Sequence, residues 1–264
     1  HAAWICALLR IPHIVFIDTE PRKLLDALTL PFVQAQITAT SYLRELGKNH
    51  FRIPGTHELA YLHSGRFQAA APVREELGLE QGEAYAIVRF VAWKALHDVG
   101  QPHMDHAARI RLVKMISARK RVFITSESAL PAELRALLFP LPPHRIHDAL
   151  AFADLYVGEG ITMAAEAVTL GVTAVLINNL RMGYCIEAET AGMLFSFPSL
   201  TPAAMQKIEE LLSTPDVRSH FSRRHEEYLA GKIDVTRFMV WFFEHYPASL
   251  EMLRKDPSLV HGFV

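Results

Sequence analysis

Residues 151–179 read AFADLYVGEGITMAAEAVTLGVTAVLINN, and the pattern of this stretch decides the fold. It opens with an apolar run at 155–157, which predicts a short buried strand, and a glycine turn follows at 158–160. A helix is predicted over 161–170, and after one more glycine the apolar run 173–177 predicts a second strand. A helix that begins directly after a glycine turn presents unpaired N–H groups and a positive dipole end, so the sequence predicts a place where an anion would bind.

Strands and helices also alternate before this unit. Strands are predicted at 84–90 and 121–125, and helices at 105–118, 131–137 and 144–151. This alternation indicates a parallel sheet with helices on both faces. Ligands of such sheets bind at the carboxyl ends of the strands. In this chain the residues at those ends are Arg89, Ser126, Glu127, the turn of Gly158, Glu159 and Gly160, and residues 178–184.

The front of the chain contains a smaller set of elements. Strands are predicted at 13–17, 32–37 and 51–54. The third strand is followed by GTHELAYLHSGRF, a predicted loop that carries His57 and Glu58, and the linker GLEQGE comes later. We therefore expect a partial N-terminal domain over residues 1–75, a Rossmann-like domain over 80–232 and a closing segment over 233–264.

The end of the chain is predicted to be helical. Thr201-Pro202 and Thr214-Pro215 each have the pattern of a capping residue followed by a proline in the first helical turn. The last long helix, at 234–245, carries apolar residues on more than one face, which is typical of a helix buried on more than one side. We expect this helix to cross back to the first domain.

Composition narrows the classes of function. The chain has 264 residues, of which 50% are hydrophobic, and its formal net charge of -1 argues against the basic surface of a nucleic-acid-binding protein. It has two cysteines, Cys6 and Cys185, and no CxxC pair, which favours a reducing cytoplasm. No apolar run reaches the roughly 18 to 20 residues that span a bilayer. A peripheral membrane contact through an exposed apolar patch is left open.

The start of the central helix contains the candidates for binding a phosphate group. The groups that would hold it are the N–H groups of Gly160, Ile161 and Met163 and the hydroxyl of Thr162. The alternative is an ordinary tight turn that needs glycine for backbone freedom. Glu166 lies four residues after Thr162 and therefore on the same helix face, where a solvated or ion-paired glutamate is the alternative.

Charged residues at other strand ends are further candidates. The guanidinium of Arg89 has a fixed charge and a fork of donors that suit a phosphate, with an interdomain salt bridge as the alternative. Either His57 or Glu58 would serve as a general base for a hydroxyl, and the intrinsic pKa of histidine suits that role. The alternative for these two residues is a pair that stabilises its loop.

A metal site is not expected. His97, Asp98, His103, Asp105 and His106 are metal-ligating residue types, but their spacing matches no established ligand motif. Three histidines in a polar loop are more often solvated than bound to a metal. The sequence also contains no Gly-x-Ser-x-Gly elbow and no phosphate-loop motif, which removes the serine hydrolase and phosphate-loop ATPase classes.

Several segments resemble known proteins. The run GEGITMAAEAVTLGVTAVLIN is similar to the nucleotide-sugar site of GT-B glycosyltransferases and of non-hydrolysing UDP-N-acetylglucosamine 2-epimerases. The segments IPHIVFIDTE, RVFITSE, PPHRIHDALAFADLYVGEGITMAAEA and KIDVTRFMVWFFEHYP resemble a family of predicted glycosyltransferases catalogued as domain of unknown function 354. The resemblance covers nearly the whole chain. Thr173 stands where that pattern usually has proline, and the first N-domain strands of the family have no counterpart before His1.

The resemblance implies a GT-B-like α/β fold with two Rossmann-like domains, of which the first is incomplete here. It implies metal-independent transfer of a sugar from a nucleoside diphosphate sugar, such as a UDP-sugar, to an unknown acceptor, without a cofactor. In that role the helix start would hold the diphosphate and Arg89 would offset the charge that leaves. Glu166 would accept hydrogen bonds from the ribose diol, and His147 would lie at the nucleotide base or else cap its helix.

Two alternatives are left open. A nucleotide-sugar epimerase on the same fold needs acidic residues near the sugar to move a proton, and Glu127 and Glu159 are the candidates. A non-catalytic nucleotide-binding protein would use the same helix start without turnover. Neither the oligomeric state nor the identity of the sugar, base and acceptor is predicted.

Overall fold

A computed structural model describes residues 2–92 and 104–264, which form an α/β protein. The strands of these residues are β1 (Ile14–Ile17), β2 (Ala35–Ala39), β3 (His50–Ile53), β4 (Tyr85–Phe90), β5 (Arg121–Ser126), β6 (Leu155–Gly158), β7 (Ala174–Ile177) and β8 (Leu194–Phe197). Their α-helices are α1 (Ala2–Leu9), α2 (Lys23–Thr29), α3 (Leu59–Leu62), α4 (Val73–Glu76), α5 (His106–Ser117), α6 (Ile146–Ala151), α7 (Ile161–Thr169), α8 (Gly183–Thr190), α9 (Pro202–Ser213), α10 (Val217–Leu229), α11 (Val235–Glu244) and α12 (Ala248–Lys255). None of the helices in this described part is long and apolar enough to span a membrane.

The chain divides into two compact units, each with its own parallel sheet. Unit 1 consists of His1–Arg66, Arg181–Glu187 and Leu229–Val264, and unit 2 consists of Phe67–Leu180 and Ala188–Tyr228. The C-terminal helices therefore belong to the same unit as the N-terminal strands. This is the return of the chain that the sequence predicts.

Unit 1 is built on a parallel sheet with the strand order β1–β2–β3. Its core joins the inward side chains of β2 and β3 to the last helices of the chain. The buried apolar residues of this core are Ala35, Ile37, Phe51, Ile53, Leu59, Ile233, Val235, Phe238, Phe242, Leu250, Leu253 and Val260. Short strands in a parallel sheet need such a cover because a parallel sheet is normally buried on both faces.

Helix α11 is buried along one stripe. Val235, Phe238 and Phe242 are fully buried at the helical spacing of three and four residues, whereas Val240 is 48% and Phe243 is 49% exposed. The prediction that this helix is buried on more than one side is therefore wrong. Its stripe faces the core of unit 1, with Met239 and Trp241 partly buried against the same core.

Unit 2 is built on a parallel sheet with the strand order β5–β4–β6–β7–β8. All residues of β6 and β7 are buried, as expected for strands covered on both faces. The predicted strand, turn, helix and strand of residues 155–177 are β6, the glycine turn, α7 and β7, so this prediction is confirmed. Gly171 follows α7 with φ of +79°, a conformation that favours glycine.

The two Thr-Pro helix starts have different outcomes. The hydroxyl of Thr201 accepts a hydrogen bond from the N–H of Ala204 at 3.2 Å, and α9 begins at Pro202 as predicted. The start predicted at Thr214-Pro215 is wrong, because α10 begins at Val217. The carboxylate of Asp216 accepts from the N–H of Ser219 at 3.2 Å and so caps that helix, while the hydroxyl of Thr214 donates back to the preceding helix.

Candidate functional site

The order of strands in unit 2 reverses beside β4. Strand β5 lies on one side of β4 and β6 lies on the other. Since crossovers between parallel strands are right-handed, the helices that follow β4 and β6 lie on opposite faces of the sheet. A crevice therefore opens at the carboxyl ends of these two strands, which is where parallel α/β sheets bind ligands. The residues at these ends are Arg89 and Phe90 on β4 and Gly158 on β6.

The turn after β6 leads directly into α7. Gly160 is the N-cap of the helix and has no side chain to cap it, and its C=O accepts from the N–H of Ala164 at 3.1 Å. The N–H groups of Ile161, Thr162 and Met163 precede the first N–H that can bond within the helix. Thr162 is exposed, so this first turn faces solvent. The residues predicted to hold a phosphate therefore lie together at one open helix end.

The glycines of this turn are required for space. A Cβ atom at Gly158 would lie 2.7 Å from the C=O oxygen of Arg89 and 2.8 Å from the hydroxyl of Tyr156. That hydroxyl donates a hydrogen bond to the C=O of Gly160 at 2.9 Å. The turn thus packs against the end of β4, which a larger residue would push away.

Arg89 and Glu127 form an ion pair at the edge of this crevice. The side chain of Arg89 is 22% exposed, and the second carboxylate oxygen of Glu127 accepts from the N–H of Ala92 at 3.2 Å. Ser126 donates its hydroxyl hydrogen bond to the C=O of Ser128 at 2.8 Å. All of these residues belong to unit 2, so Arg89 is paired within its own unit, and the interdomain salt bridge considered for it is not the pair that the structure shows.

Glu166 lies one turn along α7 from Thr162. Its Oε1 atom is 2.9 Å from Nε2 of His147 in α6, and its side chain is 10% exposed whereas that of His147 is 28% exposed. The ring of His147 makes an edge contact with the ring of Phe67, with centroids 6.3 Å apart. The structure therefore joins two predicted nucleotide-binding residues into one pair.

Glu159 differs from the other residues of the turn. It is 1% exposed, and its carboxylate accepts hydrogen bonds from the N–H groups of Val91 and Met104 and faces Arg109. The other predicted epimerase acid, Glu127, is held by Arg89. Arg109 was not found from sequence, since a buried arginine inside a helix resembles any other helical arginine.

Unit 1 has its own cluster of titratable groups at the carboxyl ends of its strands. Asp18 follows β1 and His57 follows β3, and Nδ1 of His57 lies 3.4 Å from Oδ2 of Asp18. The side chain of His57 is 40% exposed, whereas Glu58 is 4% exposed. The C=O of Glu58 accepts a hydrogen bond from the N–H of Leu62, the last residue of α3. Of the two predicted bases, His57 is therefore the accessible one.

These groups line a cavity of about 10 Å³, which has room for one water molecule at most. Its polar lining residues include Asp18, Glu20, Ser41, His57, Glu58 and Tyr184. The carboxylate of Glu20 accepts from the N–H of Gly183 at 2.8 Å, and no hydrogen-bond partner of its Oε2 is found within the described residues. Asp18 and Glu20 follow closely after β1, and this position after a strand is the sequence signal that identifies them as candidate site residues.

The pair of Asp18 and His57 shifts both of its titrations. The hydrogen bond from His57 lowers the pKa of Asp18 to about 2, and the hydrogen bond to Asp18 raises the pKa of His57. Burial raises the pKa of Glu20 and that of Tyr184. The imidazole of His57 is thus the group of this cluster that is suited to take up a proton.

The histidine and aspartate cluster considered for a metal is only partly described. His97, Asp98 and His103 lie outside the described residues, while the carboxylate of Asp105 accepts from the N–H of Ala108 at 2.6 Å and caps α5. Among residues 2–92 and 104–264, no group of three or more histidine, cysteine, aspartate or glutamate side chains is placed to hold a metal ion.

Comparison with known proteins gives matches among solved structures. No protein-family model matches the chain, and no curated protein matches it. A protein described as a UDP-N-acetylglucosamine 2-epimerase from Listeria monocytogenes matches at 14% identity over 93% of this chain and 78% of that chain, with a TM-score of 0.55. Spinosyn rhamnosyltransferase complexed with thymidine diphosphate matches at 16% identity over 92% and 70%, with a TM-score of 0.54. The glycotransferase of kitacinnamycin matches at 14% identity over 93% and 73%, with a TM-score of 0.51.

These matches confirm the predicted fold class. The two parallel sheets have the GT-B type of architecture seen in glycosyltransferases and in the epimerase. At such identities the likeness concerns the fold, and function has to be argued from the sites themselves.

Proposed function

We propose that this chain is a GT-B-type glycosyltransferase that passes a sugar from a nucleoside diphosphate sugar to an acceptor hydroxyl. The supporting observation is that the open start of α7, Arg89 and Glu166 all lie at the switch point of unit 2. The motifs quoted above support the same assignment and, within it, membership of the predicted glycosyltransferase family catalogued as domain of unknown function 354.

The diphosphate binds at the start of α7 in this proposal. The N–H groups of Ile161, Thr162 and Met163 and the dipole of the helix stabilise its charge as the bond to the sugar breaks. Arg89 adds a fixed positive charge beside the turn. Its ion pair with Glu127 is partly exposed, and because such pairs contribute roughly 0–1 kcal/mol, a phosphate can displace the carboxylate at small cost. These groups replace a metal ion, so the transfer needs none.

Glu166 binds the ribose in this proposal. Its carboxylate lies one turn beyond Thr162 on the same face of α7. The contact with His147 fixes the orientation of the carboxylate before the ligand arrives. A carboxylate accepts two hydroxyl hydrogen bonds, which makes this position selective for ribose over deoxyribose.

His57 is the base that we assign to the acceptor. The acceptor oxygen forms a bond to the anomeric carbon, the bond from that carbon to the diphosphate breaks, and the hydroxyl proton passes to the imidazole. Asp18 accepts a hydrogen bond from the ring and stabilises the imidazolium that results.

The proposal is tested by calorimetric titration with UDP, TDP, CDP, GDP and ADP. One of them should bind with micromolar affinity, and UDP is the first to try. Thr162→Val and Glu166→Ala should each weaken that binding, whereas Glu226→Ala, an exposed glutamate of α10, should not. Absence of binding for all five nucleotides at millimolar concentration would overturn the proposal. Binding without release of nucleoside diphosphate from any nucleotide sugar would instead favour a non-catalytic nucleotide-binding protein.

A nucleotide-sugar epimerase is the second candidate, and the acid cluster of unit 1 favours it. Asp18, Glu20, His57 and Glu58 lie together in unit 1 and Asp18 is paired with a histidine there, whereas Glu127 and Glu159 are each held by an arginine. Incubation of UDP-N-acetylglucosamine with the protein in heavy water separates the two reactions. An epimerase incorporates deuterium into the sugar without an acceptor, and a transferase does not.

A further inference from the structure

A glutamate in a turn that binds a diphosphate raises an electrostatic problem. Glu159 lies between Gly158 and Gly160, next to the helix start to which the diphosphate is assigned. An uncompensated carboxylate at this place would repel the ligand and would also be costly to bury. The structure contains a compensating group, since Nη2 of Arg109 lies 3.5 Å from Oε2 of Glu159 and both side chains are almost fully buried, at 6% and 1% exposure.

The carboxylate of Glu159 also binds the chain just after β4 and just before α5. Its Oε2 atom accepts from the N–H of Val91, just after β4, at 3.1 Å. Its Oε1 atom accepts from the N–H of Met104, just before α5, at 3.2 Å. The side chain therefore points into unit 2 and away from the open first turn of α7, and it holds the segments at the ends of two elements.

The main chain of Glu159 is held as well. Its N–H donates to the C=O of Arg89 at 3.0 Å, and its C=O accepts from the amide group of Asn178, just after β7, at 2.9 Å. Hydrogen bonds to the ends of β4 and β7, the two strands that flank β6, thus meet at one residue. This fixes the direction in which the chain enters α7.

Arg109 connects the pair to the rest of the same edge. Its guanidinium lies over the ring of Phe90, 4.7 Å from the ring centroid, and its Nη1 atom donates to the hydroxyl of Ser128 at 3.1 Å. Its Nη2 atom is also 3.5 Å from the C=O of Val91. A planar fork of donors can make such contacts at once, and lysine cannot.

We propose that Arg109 and Glu159 are positioning residues of the nucleotide site, which neutralise each other and fix the turn so that the N–H groups of α7 are preset for a diphosphate. This inference rests on the proposed function, and it removes Glu159 from the candidates for contact with the ligand or for acid catalysis. Preset donors bind an anion more tightly than donors that must be ordered on binding.

The test compares Arg109→Met, Glu159→Gln and the double variant, with UDP and inorganic pyrophosphate as probes. Arg109→Met removes the positive charge that faces the carboxylate of Glu159, so the affinity for both probes should fall by at least about tenfold. The double variant removes the charge as well, so it should regain a large part of that loss. A role in folding alone does not predict that a second substitution in the same pair restores anion binding.

Lys120→Met provides the matched control. Lys120 pairs with Asp154 at 3.8 Å in the same unit, with side chains 9% and 19% exposed, but Asp154 directly precedes β6 at the amino end of the sheet. This variant should lower the midpoint of thermal unfolding and leave the affinity for both probes within about twofold. If folded Arg109→Met binds as tightly as the control, or if the double variant binds no better than Arg109→Met, the inference is overturned.

Amide hydrogen exchange keeps the inference separate from the proposed function. Arg109→Lys retains the charge and loses the fork, so the hydrogen-bonded amides of the turn and of the start of α7, those of Glu159 and Ala164, should exchange faster than in Lys120→Met at equal global stability. This comparison needs no ligand and replaces the binding test if Arg109→Met does not fold. Unchanged exchange in that segment would count against the inference even if the protein binds nucleotides. Faster exchange together with no nucleotide binding by the wild type would uphold the positioning role and overturn the proposed function.

Discussion

The imidazole Nε2 of His147 lies 2.9 Å from the carboxylate Oε1 of Glu166, and the two residues come from adjacent helices of unit 2. His147 is the more exposed partner, so a ligand that approaches Glu166 meets the imidazole first. The imidazole ring of His147 therefore has two opposing effects on ligand binding. It orients the carboxylate of Glu166, and it also covers part of that carboxylate. Orientation should prevail, because a fixed carboxylate loses less side-chain entropy when it accepts the ribose hydroxyls.

Replacement of Glu166 by glutamine should weaken nucleotide binding and remove its selectivity for ribose. Hydrogen bonds to a charged acceptor contribute about 1.5–3 kcal/mol, so the affinity for UDP should fall by roughly 10- to 100-fold. The affinity for 2′-deoxy-UDP should fall less, because that ligand keeps only one of the two hydroxyls that bind the carboxylate. Calorimetry with both ligands measures the difference, with Glu226→Gln on α10 as the control. If Glu166→Gln still prefers UDP to the deoxy ligand by the same factor as the wild type, the ribose is bound elsewhere.

The pair of Asp18 and His57 makes a prediction about titration. The hydrogen bond to Asp18 raises the pKa of His57, so Asp18→Asn should lower the pKa of this histidine toward its ordinary value. Because the folded protein binds this proton more tightly than the unfolded chain, the pair stabilises the fold fully below about pH 6.5. That contribution is lost as the pH rises through the raised pKa of His57.

NMR titration of the ring protons of His57 measures this change directly. His225, which lies in unit 2, provides an internal reference whose pKa is lowered by burial in both proteins. In the acid range the sign is opposite, because the pKa of Asp18 is lowered to about 2 and its contribution is lost as the pH falls below about 3.8. An unchanged pKa of His57 in Asp18→Asn would remove Asp18 from its assigned role.

The sequence predicts the central unit well because its signals are local. The apolar runs, the glycine turn and the glycine after α7 all lie within residues 155–177, and each acts on its immediate neighbours. Strand β2 is less well predicted: it was expected at 32–37 and is found at Ala35–Ala39. Leu30, Pro31 and Phe32 form a turn of 3₁₀ helix instead. Proline is favoured in the first turn of a helix, whereas an apolar run is typical of a strand, so the sequence of this segment suits either element.

The paired residues of the sites depend on contacts between distant parts of the chain. Arg109 and Glu159 are separated by 50 positions, and Asp18 and His57 come from different strand ends of unit 1. A single sequence shows each residue type but not its partner. It therefore identifies Gly160, Thr162 and Glu166 as a set on one helix, but it does not distinguish the buried Glu159 from its exposed neighbour Thr162.

Partly buried His225 should make the stability of the protein depend on pH. Its Nε2 atom lies 3.0 Å from the C=O of Thr169 at the end of α7, and burial lowers its pKa. The unfolded chain therefore binds the proton more tightly, and stability should fall as the pH drops below about 6.5, by at most about 1.4 kcal/mol per pH unit. At higher pH the imidazole of His225 is neutral in both the folded and the unfolded protein, so it does not make stability depend on pH.

Urea unfolding at several pH values between 7.5 and 5 tests this expectation for His225→Gln. The variant should lose less stability than the wild type on acidification. His220→Gln, a change at an exposed histidine of the same helix, should retain the pH dependence of the wild type. Equal slopes for the wild type and His225→Gln would mean that another group titrates.

Substitution of Gly158 by alanine should destabilise unit 2 and disturb the nucleotide site together. The added Cβ would lie 2.7 Å from the C=O of Arg89 and 2.8 Å from the Cβ of the same residue, so β6 and β4 must move apart at their carboxyl ends. Overpacking of this kind costs about 1–3 kcal/mol. Gly262→Ala is the control, since a Cβ there meets no atom within 4 Å. Urea unfolding measures the loss of stability, and calorimetry with UDP measures the affinity. Because the displaced strand end carries Arg89, Gly158→Ala should lose both properties, and a variant as stable as the control that binds UDP normally would contradict the close packing of this turn.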